Sequence, residues 1–154
     1  MRYGLMGRCG VAAGAVLTML SGTTSGQVAP MSFDRVDLAI DSGTVATDSI
    51  GVVYSETVES PGADWIRVWF GETIIPEGAE LLITSARSGA VHRLTAQTLE
   101  QWNNSSAYLA GDVAYVDLVV PEDAPAVTED ARVRISGVDM GLPPITGRTI
   151  CDGV

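Results

Sequence analysis

The most constraining feature of this sequence is a run of short segments in which apolar and polar residues alternate. From Phe33 onward these segments recur roughly every 8 to 15 residues, and clusters of Gly, Pro, Asp and Ser separate them. Such a pattern is typical of a β-sandwich or barrel, because alternate side chains of a strand point to opposite faces of a sheet. Strands are predicted at Phe33–Ile40, Ile50–Val58, Trp65–Phe70, Glu80–Ser85, Ala90–Leu94, Val113–Val120 and Ala131–Val138. We therefore predict an all-β fold, an antiparallel β-sandwich of jelly-roll-like type.

The same alternation predicts which side chains form the core. One face of each central strand is apolar, and the residues assigned to the interior are Ile66, Val68, Phe70, Leu81, Ile83, Val116, Leu118, Val120, Ala131, Val133 and Ile135. Trp65, Arg67 and Trp69 fall on the opposite face. One short helix is predicted at Thr95–Trp102, where Thr95 is a suitable N-cap residue.

The first 26 residues have the composition of a secretory signal peptide. Arg2 and Arg8 precede an apolar run from Val11 to Leu20, small residues follow it, and there is no acidic residue. We predict a signal-peptide helix at 1–26, a β-sandwich domain at 27–140 and a Pro/Gly linker at 141–154. The predicted location is secreted, either extracellular or periplasmic, with no membrane attachment after cleavage.

Charge and residue types exclude several classes of function. The chain has 154 residues, nine basic against 19 acidic ones, and a net charge of −10, which argues against binding nucleic acid. Its single histidine, His92, excludes multi-histidine metal sites and has no recognisable nucleophile partner, so we interpret it as an ordinary strand residue. We predict no catalytic constellation, no cofactor and no metal.

A structural calcium ion is an alternative that the sequence does not favour. Acidic pairs near turns could offer oxygen ligands, but none matches a D-x-[DN]-x-[DN]-G loop. The pairs are Asp34 with Asp37, Asp41 with Asp48, and Glu122-Asp123 with Glu129-Asp130. Solvated carboxylates at turns are the simpler interpretation in so acidic a chain.

Two tryptophans and one cysteine are the candidate site residues. Trp65 and Trp69 lie two apart on the face opposite the core, where they could bind a sugar ring or a partner protein, or be covered by another part of the protein. Signal cleavage would remove Cys9 and leave Cys151 as the remaining cysteine, either free or in a disulfide with another region. The sequence Asn103-Asn104-Ser105-Ser106 contains two overlapping N-x-S sequons, but we interpret it as a turn.

Most of the chain after the signal peptide resembles the N-terminal region of bacterial secreted trypsin-like serine peptidases of the lysyl-endopeptidase-like kind. The segments that carry the resemblance are Val53–Val58, Pro61–Phe70, Leu82–Ser85, Gly89–Val91, Leu94–Tyr108 and Gly111–Asp112. Ile150-Cys151-Asp152-Gly153 is similar to the segment that leads into the peptidase domain in that family.

This resemblance implies a non-catalytic accessory or pro-domain that helps a peptidase domain to fold, dock or find substrate. The family's catalytic Ser, His and Asp map to no residue here, so the chain would be a fragment, with Cys151 bridged to the missing domain. The alternative is a free-standing extracellular module that binds carbohydrate or protein through the face carrying Trp65 and Trp69.

Overall fold

The computed structural model describes residues 32–142 of this protein, except residues 126 and 128. The described chain forms two four-stranded antiparallel sheets and one short helix. The strands are β1 (Phe33–Asp41), β2 (Gly51–Glu59), β3 (Trp65–Phe70), β4 (Glu80–Ser85), β5 (Val91–Leu94), β6 (Leu109–Ala110), β7 (Val113–Val120) and β8 (Arg134–Gly141). The helix α1 (Ala96–Gln101) lies between β5 and β6.

The order of strands is that of an eight-stranded jelly roll. One sheet has the order β1-β8-β3-β6 and the other has the order β2-β7-β4-β5. The strands therefore pair in a nested order: β1 with β8, β2 with β7, β3 with β6 and β4 with β5. Successive pairs belong to alternate sheets, which is the arrangement of a jelly roll. The predicted all-β antiparallel sandwich of jelly-roll-like type is confirmed; the signal-peptide helix that would precede it lies outside the described residues.

The core lies between the two sheets and contains the side chains that alternation predicted. Every residue assigned to the interior is at most 6% exposed, and Ile66, Leu81 and Leu118 are fully buried. Val58, Leu94, Leu109 and Val138 also belong to this buried layer. Because alternate residues of each strand face outward, the opposite faces of both sheets remain for polar and aromatic side chains.

Two strands, β6 and β8, differ most from the sequence prediction. Strand β6 has two residues and was not predicted, because two residues are too few to show alternation. Strand β8 begins at Arg134 and ends at Gly141, three residues beyond the predicted end. The predicted strand Ala131–Val138 stopped before this end, because Gly141 gives no hydrophobic signal. Gly141 thus belongs to the sheet and not to a linker.

The short helix ends in a tight turn, and this turn also contacts a side chain on the outer face of the neighbouring sheet. Thr95 caps its start, with reciprocal bonds between Thr95 and Thr98. At its end Asn103 and Asn104 both have φ of 54°, in the left-handed region that asparagine tolerates better than most residues. Their N–H groups donate to the carbonyls of Glu100 and Leu99, both at 2.9 Å, in a Schellman arrangement.

Candidate binding face

The outer face of the β1-β8-β3-β6 sheet brings aromatic and arginine side chains together around one buried acid. The cross-strand register aligns them in three rows: Phe33, Gly141 and Trp65; Arg35, Asp139 and Arg67; Asp37, Gly137 and Trp69. Tyr108 adds a further ring beside Trp65. We call the set Phe33, Arg35, Trp65, Arg67, Trp69, Tyr108 and Asp139 the aromatic-arginine face.

Trp65 lies over the backbone of Gly141. A β-carbon at position 141 would overlap Nε1, Cε2 and Cδ1 of the Trp65 ring, so glycine is what allows the indole to lie on the sheet. The ring of Tyr108 meets Trp65 edge-on, at 4.8 Å between centroids and 88° between planes, and Phe33 lies 6.4 Å away. Phe33 and Tyr108 remain 54% and 55% exposed, which leaves an aromatic surface open at this end of the sheet.

Trp69 is held by a hydrogen bond and by two arginines. Its indole N–H donates to Oδ2 of Asp139 at 2.6 Å, across the β3–β8 pairing. The guanidinium carbons of Arg35 and Arg67 lie 4.5 and 4.7 Å from the Trp69 ring centroid, within the range of cation–π attraction. The two tryptophans therefore have different surroundings: Trp65 packs among aromatic rings, and Trp69 packs beneath cations.

Arg67 is fixed by the turn that follows α1. Its Nε donates to Oγ of Ser105 and to the carbonyl of Ser106, both at 3.1 Å, and its Nη2 donates to the same Ser105 hydroxyl at 2.5 Å. Ser105 is fully buried and donates in turn to the carbonyl of Trp102. The Asn103–Ser106 sequence is thus a turn, as predicted, and it also orients an arginine of the outer face.

Asp139 is the acidic centre of the face, and one of its oxygens has no hydrogen-bond partner among the described residues. The side chain is 8% exposed, and Oδ1 is buried. Nε of Arg35 lies 3.8 Å from Oδ1, which is an ion-pair distance but too long for a hydrogen bond. An unsatisfied buried oxygen costs about 1–3 kcal/mol, so the position of Asp139 carries an energetic cost that its bond with Trp69 and its proximity to Arg35 must offset.

Arginines are concentrated on this side of an acidic protein. Besides Arg35 and Arg67, two more of the chain's nine arginines lie at the far end of the same sheet, where Arg132 and Arg134 pair with Asp41. The paired hydrogen bonds from Arg132 hold the pKa of Asp41 well below its usual range. Four cations thus offset the negative charge on this side, although the whole chain carries −10.

His92 has a structural environment. Its Nδ1 accepts the backbone N–H of Ala107 at 3.0 Å, and its ring packs against Trp102 at 4.6 Å between centroids. Burial lowers the pKa of His92, which favours the neutral form that this hydrogen bond requires. These contacts support its interpretation as an ordinary strand residue.

Within residues 32–125, 127 and 129–142 there is no group of three or more His, Cys, Asp or Glu side chains that could hold a metal ion. The same described residues contain no helix that is long and apolar enough to cross a membrane. The predicted signal peptide and Cys151 lie outside the described residues.

The sequence located part of this face. Alternation placed Trp65, Arg67 and Trp69 together on the face opposite the core, as observed, and left open whether the two tryptophans are exposed or covered. Both are half-buried, because Gly141 admits one ring and two arginines cover the other. Arg35 and Asp139 were not predicted as site residues, since they are 104 positions apart in the sequence and become neighbours through the pairing of β1 with β8.

Comparison with known proteins gives no assignment: no protein-family model, no curated protein and no solved structure significantly matches this chain.

Proposed function

We propose that this chain is an exported, non-catalytic binding module that accompanies a trypsin-like serine peptidase domain and holds it to a target through the aromatic-arginine face. The observation that supports the proposal most strongly is that side chains of this face are already held in place by contacts within the protein. Hydrogen bonds fix Trp69 and Arg67, and Phe33 and Tyr108 stay exposed beside them. Trp, Tyr and Arg are the residue types that contribute most often to binding energy at interfaces.

The aromatic side chains of this face do not belong to the hydrophobic core. The buried cluster between the sheets is built from aliphatic residues and Phe70, and includes none of Phe33, Trp65, Trp69 or Tyr108. Folding therefore leaves these four large rings on an outer sheet surface. Exposed aromatic surface of this kind is typical of a site that contacts a ligand or a partner protein, because leaving it exposed to water does not stabilise the fold.

The accessory role rests on the resemblance between Val53–Asp112 and the region that precedes such peptidase domains. It predicts that the reading frame continues beyond Val154 into a domain with the serine, histidine and aspartate of a trypsin-like enzyme. Sequencing through that codon tests the prediction. A stop codon there would remove the peptidase from the proposal and favour a free-standing binding module.

The binding role is tested by retention on native extracellular material. We expect the fluorescently labelled chain to be retained on the cell envelope of the organism that produces it, and Trp65→Ala to reduce this retention. The matched control is Tyr115→Ala, which removes a 44% exposed aromatic residue from the outer face of the other sheet. Retention that is absent, or that is equal in all three proteins, would contradict the proposal.

A further inference from the structure

Strand β1 lies at one edge of its sheet, and none of the described strands pairs with its outer side. We propose that two copies of this chain associate by antiparallel pairing of their β1 strands, which joins two four-stranded sheets into one continuous sheet of eight strands. The inference goes beyond the proposed function, because it concerns the assembly of the protein and does not depend on the target of the aromatic-arginine face.

The sandwich is open along β1. Val36 faces the interior in the same row as Val138 and Val68, yet Val36 is 41% exposed, while Val138 and Val68 are at most 1% exposed. An edge strand also presents backbone N–H and C=O groups that a further strand can bind. The part of β1 from Phe33 to Asp37 pairs with β8 without a register shift, so its other side is suited to regular pairing.

The sequence of β1 is complementary to itself in the antiparallel orientation. Residues directly opposite each other in a sheet share a face, so a two-fold axis between two identical strands passes through a residue position. With the axis at Val36, Arg35 lies opposite Asp37 of the second copy, and symmetry repeats this pair. Arg35 and Asp37 are both exposed on the outer face, and opposite charges in such positions stabilise a sheet.

The charges distinguish this register from its neighbours. An axis at Arg35 or at Asp37 places two arginines or two aspartates directly opposite each other, which is destabilising. An axis at Leu38 centres the pairing on the part of β1 where the register with β8 shifts. It also opposes Arg35 to Asp41, a carboxylate that Arg132 already binds through two hydrogen bonds. Edge strands that carry charge usually resist association, but the charges of β1 are arranged in complementary pairs.

The pairing has a consequence for the outer surface. A two-fold axis perpendicular to a sheet leaves each face on its own side, so the aromatic-arginine faces of both copies lie on the same side of the joined sheet. Phe33 of each copy lies opposite Ala39 of the other, where the small side chain leaves room for the ring. A target with repeated sites is then contacted by two faces at once, which increases avidity.

The experiment measures self-association of the native chain by sedimentation velocity over a range of concentrations. The buffer is reducing, so that a disulfide through Cys151 cannot join two copies. Asp37→Arg places arginine opposite arginine in the proposed register, and Arg35→Asp places aspartate opposite aspartate. In a mixture of these two variants, each opposed pair again has opposite charges. The fold of every variant is checked by its near-UV circular dichroism and thermal unfolding.

A second pair of variants does not change Arg35, whose guanidinium also contacts Trp69. Val36→Lys places two like charges at the axis. The matched control is Val91→Lys, which changes a 49% exposed valine on an edge strand of the other sheet. These variants keep the test decisive if Arg35→Asp does not fold.

We expect the native chain and Val91→Lys to form reversible dimers. Asp37→Arg, Arg35→Asp and Val36→Lys should each dimerise about tenfold or more weakly, and the equimolar mixture of the first two should recover association. A native chain that stays monomeric at every concentration, or a folded Asp37→Arg or Val36→Lys that dimerises like it, would overturn the inference. A mixture that associates no better than its components would overturn the register at Val36. Envelope retention is a separate measurement, so failure of this inference is distinguishable from failure of the proposed function.

Discussion

The indole N–H of Trp69 donates to Oδ2 of Asp139 at 2.6 Å, and this bond joins β3 to β8 on the outside of the sandwich. It orients the carboxylate so that Oδ1 lies beside Arg35. Trp69 was a candidate ligand-binding residue in the sequence, but in the structure its indole N–H positions the carboxylate of Asp139. The structure of the face depends on this pair as much as on the exposed rings.

Replacing Asp139 should therefore destabilise the protein. In Asp139→Ala the indole N–H of Trp69 loses its acceptor, and we expect the free energy of unfolding to fall by about 1–3 kcal/mol. Urea unfolding measures the change. Because the two residues form a pair, the double variant Asp139→Ala, Trp69→Phe should lose less than the sum of the single losses. Strict additivity would show that the hydrogen bond contributes nothing.

Gly141 should tolerate no side chain, since Trp65 occupies that space. Gly141→Ala forces the indole off the sheet, and we expect a loss of about 1–3 kcal/mol in stability together with a shift of the Trp65 indole signal. The matched control is Gly71→Ala, where a β-carbon would lie 3.5 Å from Cβ of Arg134, an ordinary contact. Equal stability in the two variants, with unchanged indole spectra, would refute this packing.

Asn104 tests the turn that orients Arg67. Its φ of 54° is unfavourable for alanine, so Asn104→Ala should lose about 1–2 kcal/mol of stability. The control is Asn104→Gly, because glycine adopts this conformation without strain. We expect Asn104→Gly to be more stable than Asn104→Ala by about 1–2 kcal/mol or more. Thermal or urea unfolding of both variants decides the matter, and equal stabilities would mean that the left-handed conformation is not formed.

His92 should make stability depend on pH. Burial lowers its pKa in the folded protein below the value of 6.5 expected for the unfolded chain, so the unfolded state takes up the proton first. The contribution is therefore fully present above pH 6.5 and is lost as the pH falls from 6.5 through the lower pKa of the folded state.

The comparison for this prediction is His92→Asn, which can still offer an oxygen to the N–H of Ala107 but does not titrate. Unfolding free energies of the two proteins should converge as the pH is lowered from 7.5 to 5, because only the native chain loses the His92 contribution. Parallel profiles over this range would show that His92 titrates alike in both states.

The sequence predicted the sandwich because its central strands alternate cleanly. Val113–Val120 shows the reason: Val116, Leu118 and Val120 face the core, and Tyr115 and Asp117 face outward, so period two is visible locally. Strand β8 was harder to place, since glycines at 137 and 141 interrupt the apolar pattern where the outer face must accommodate neighbouring side chains.

The candidate site was less predictable, for a physical reason. Trp65, Arg67 and Trp69 share one strand, so local alternation groups them. Arg35 and Asp139 join them because β8 pairs with both β1 and β3. The sequence of one strand alone does not determine the register of that pairing. The unpartnered oxygen of Asp139 becomes visible once all neighbours are in place.

The most direct test of the account is a binding isotherm for the native chain, Trp65→Ala and Tyr115→Ala on the same envelope preparation. We predict saturable binding by the native chain and by Tyr115→Ala, with an apparent Kd about tenfold or more higher for Trp65→Ala, because its change removes the central ring of the aromatic-arginine face. Three superimposable isotherms would contradict the claim that this protein binds through that face.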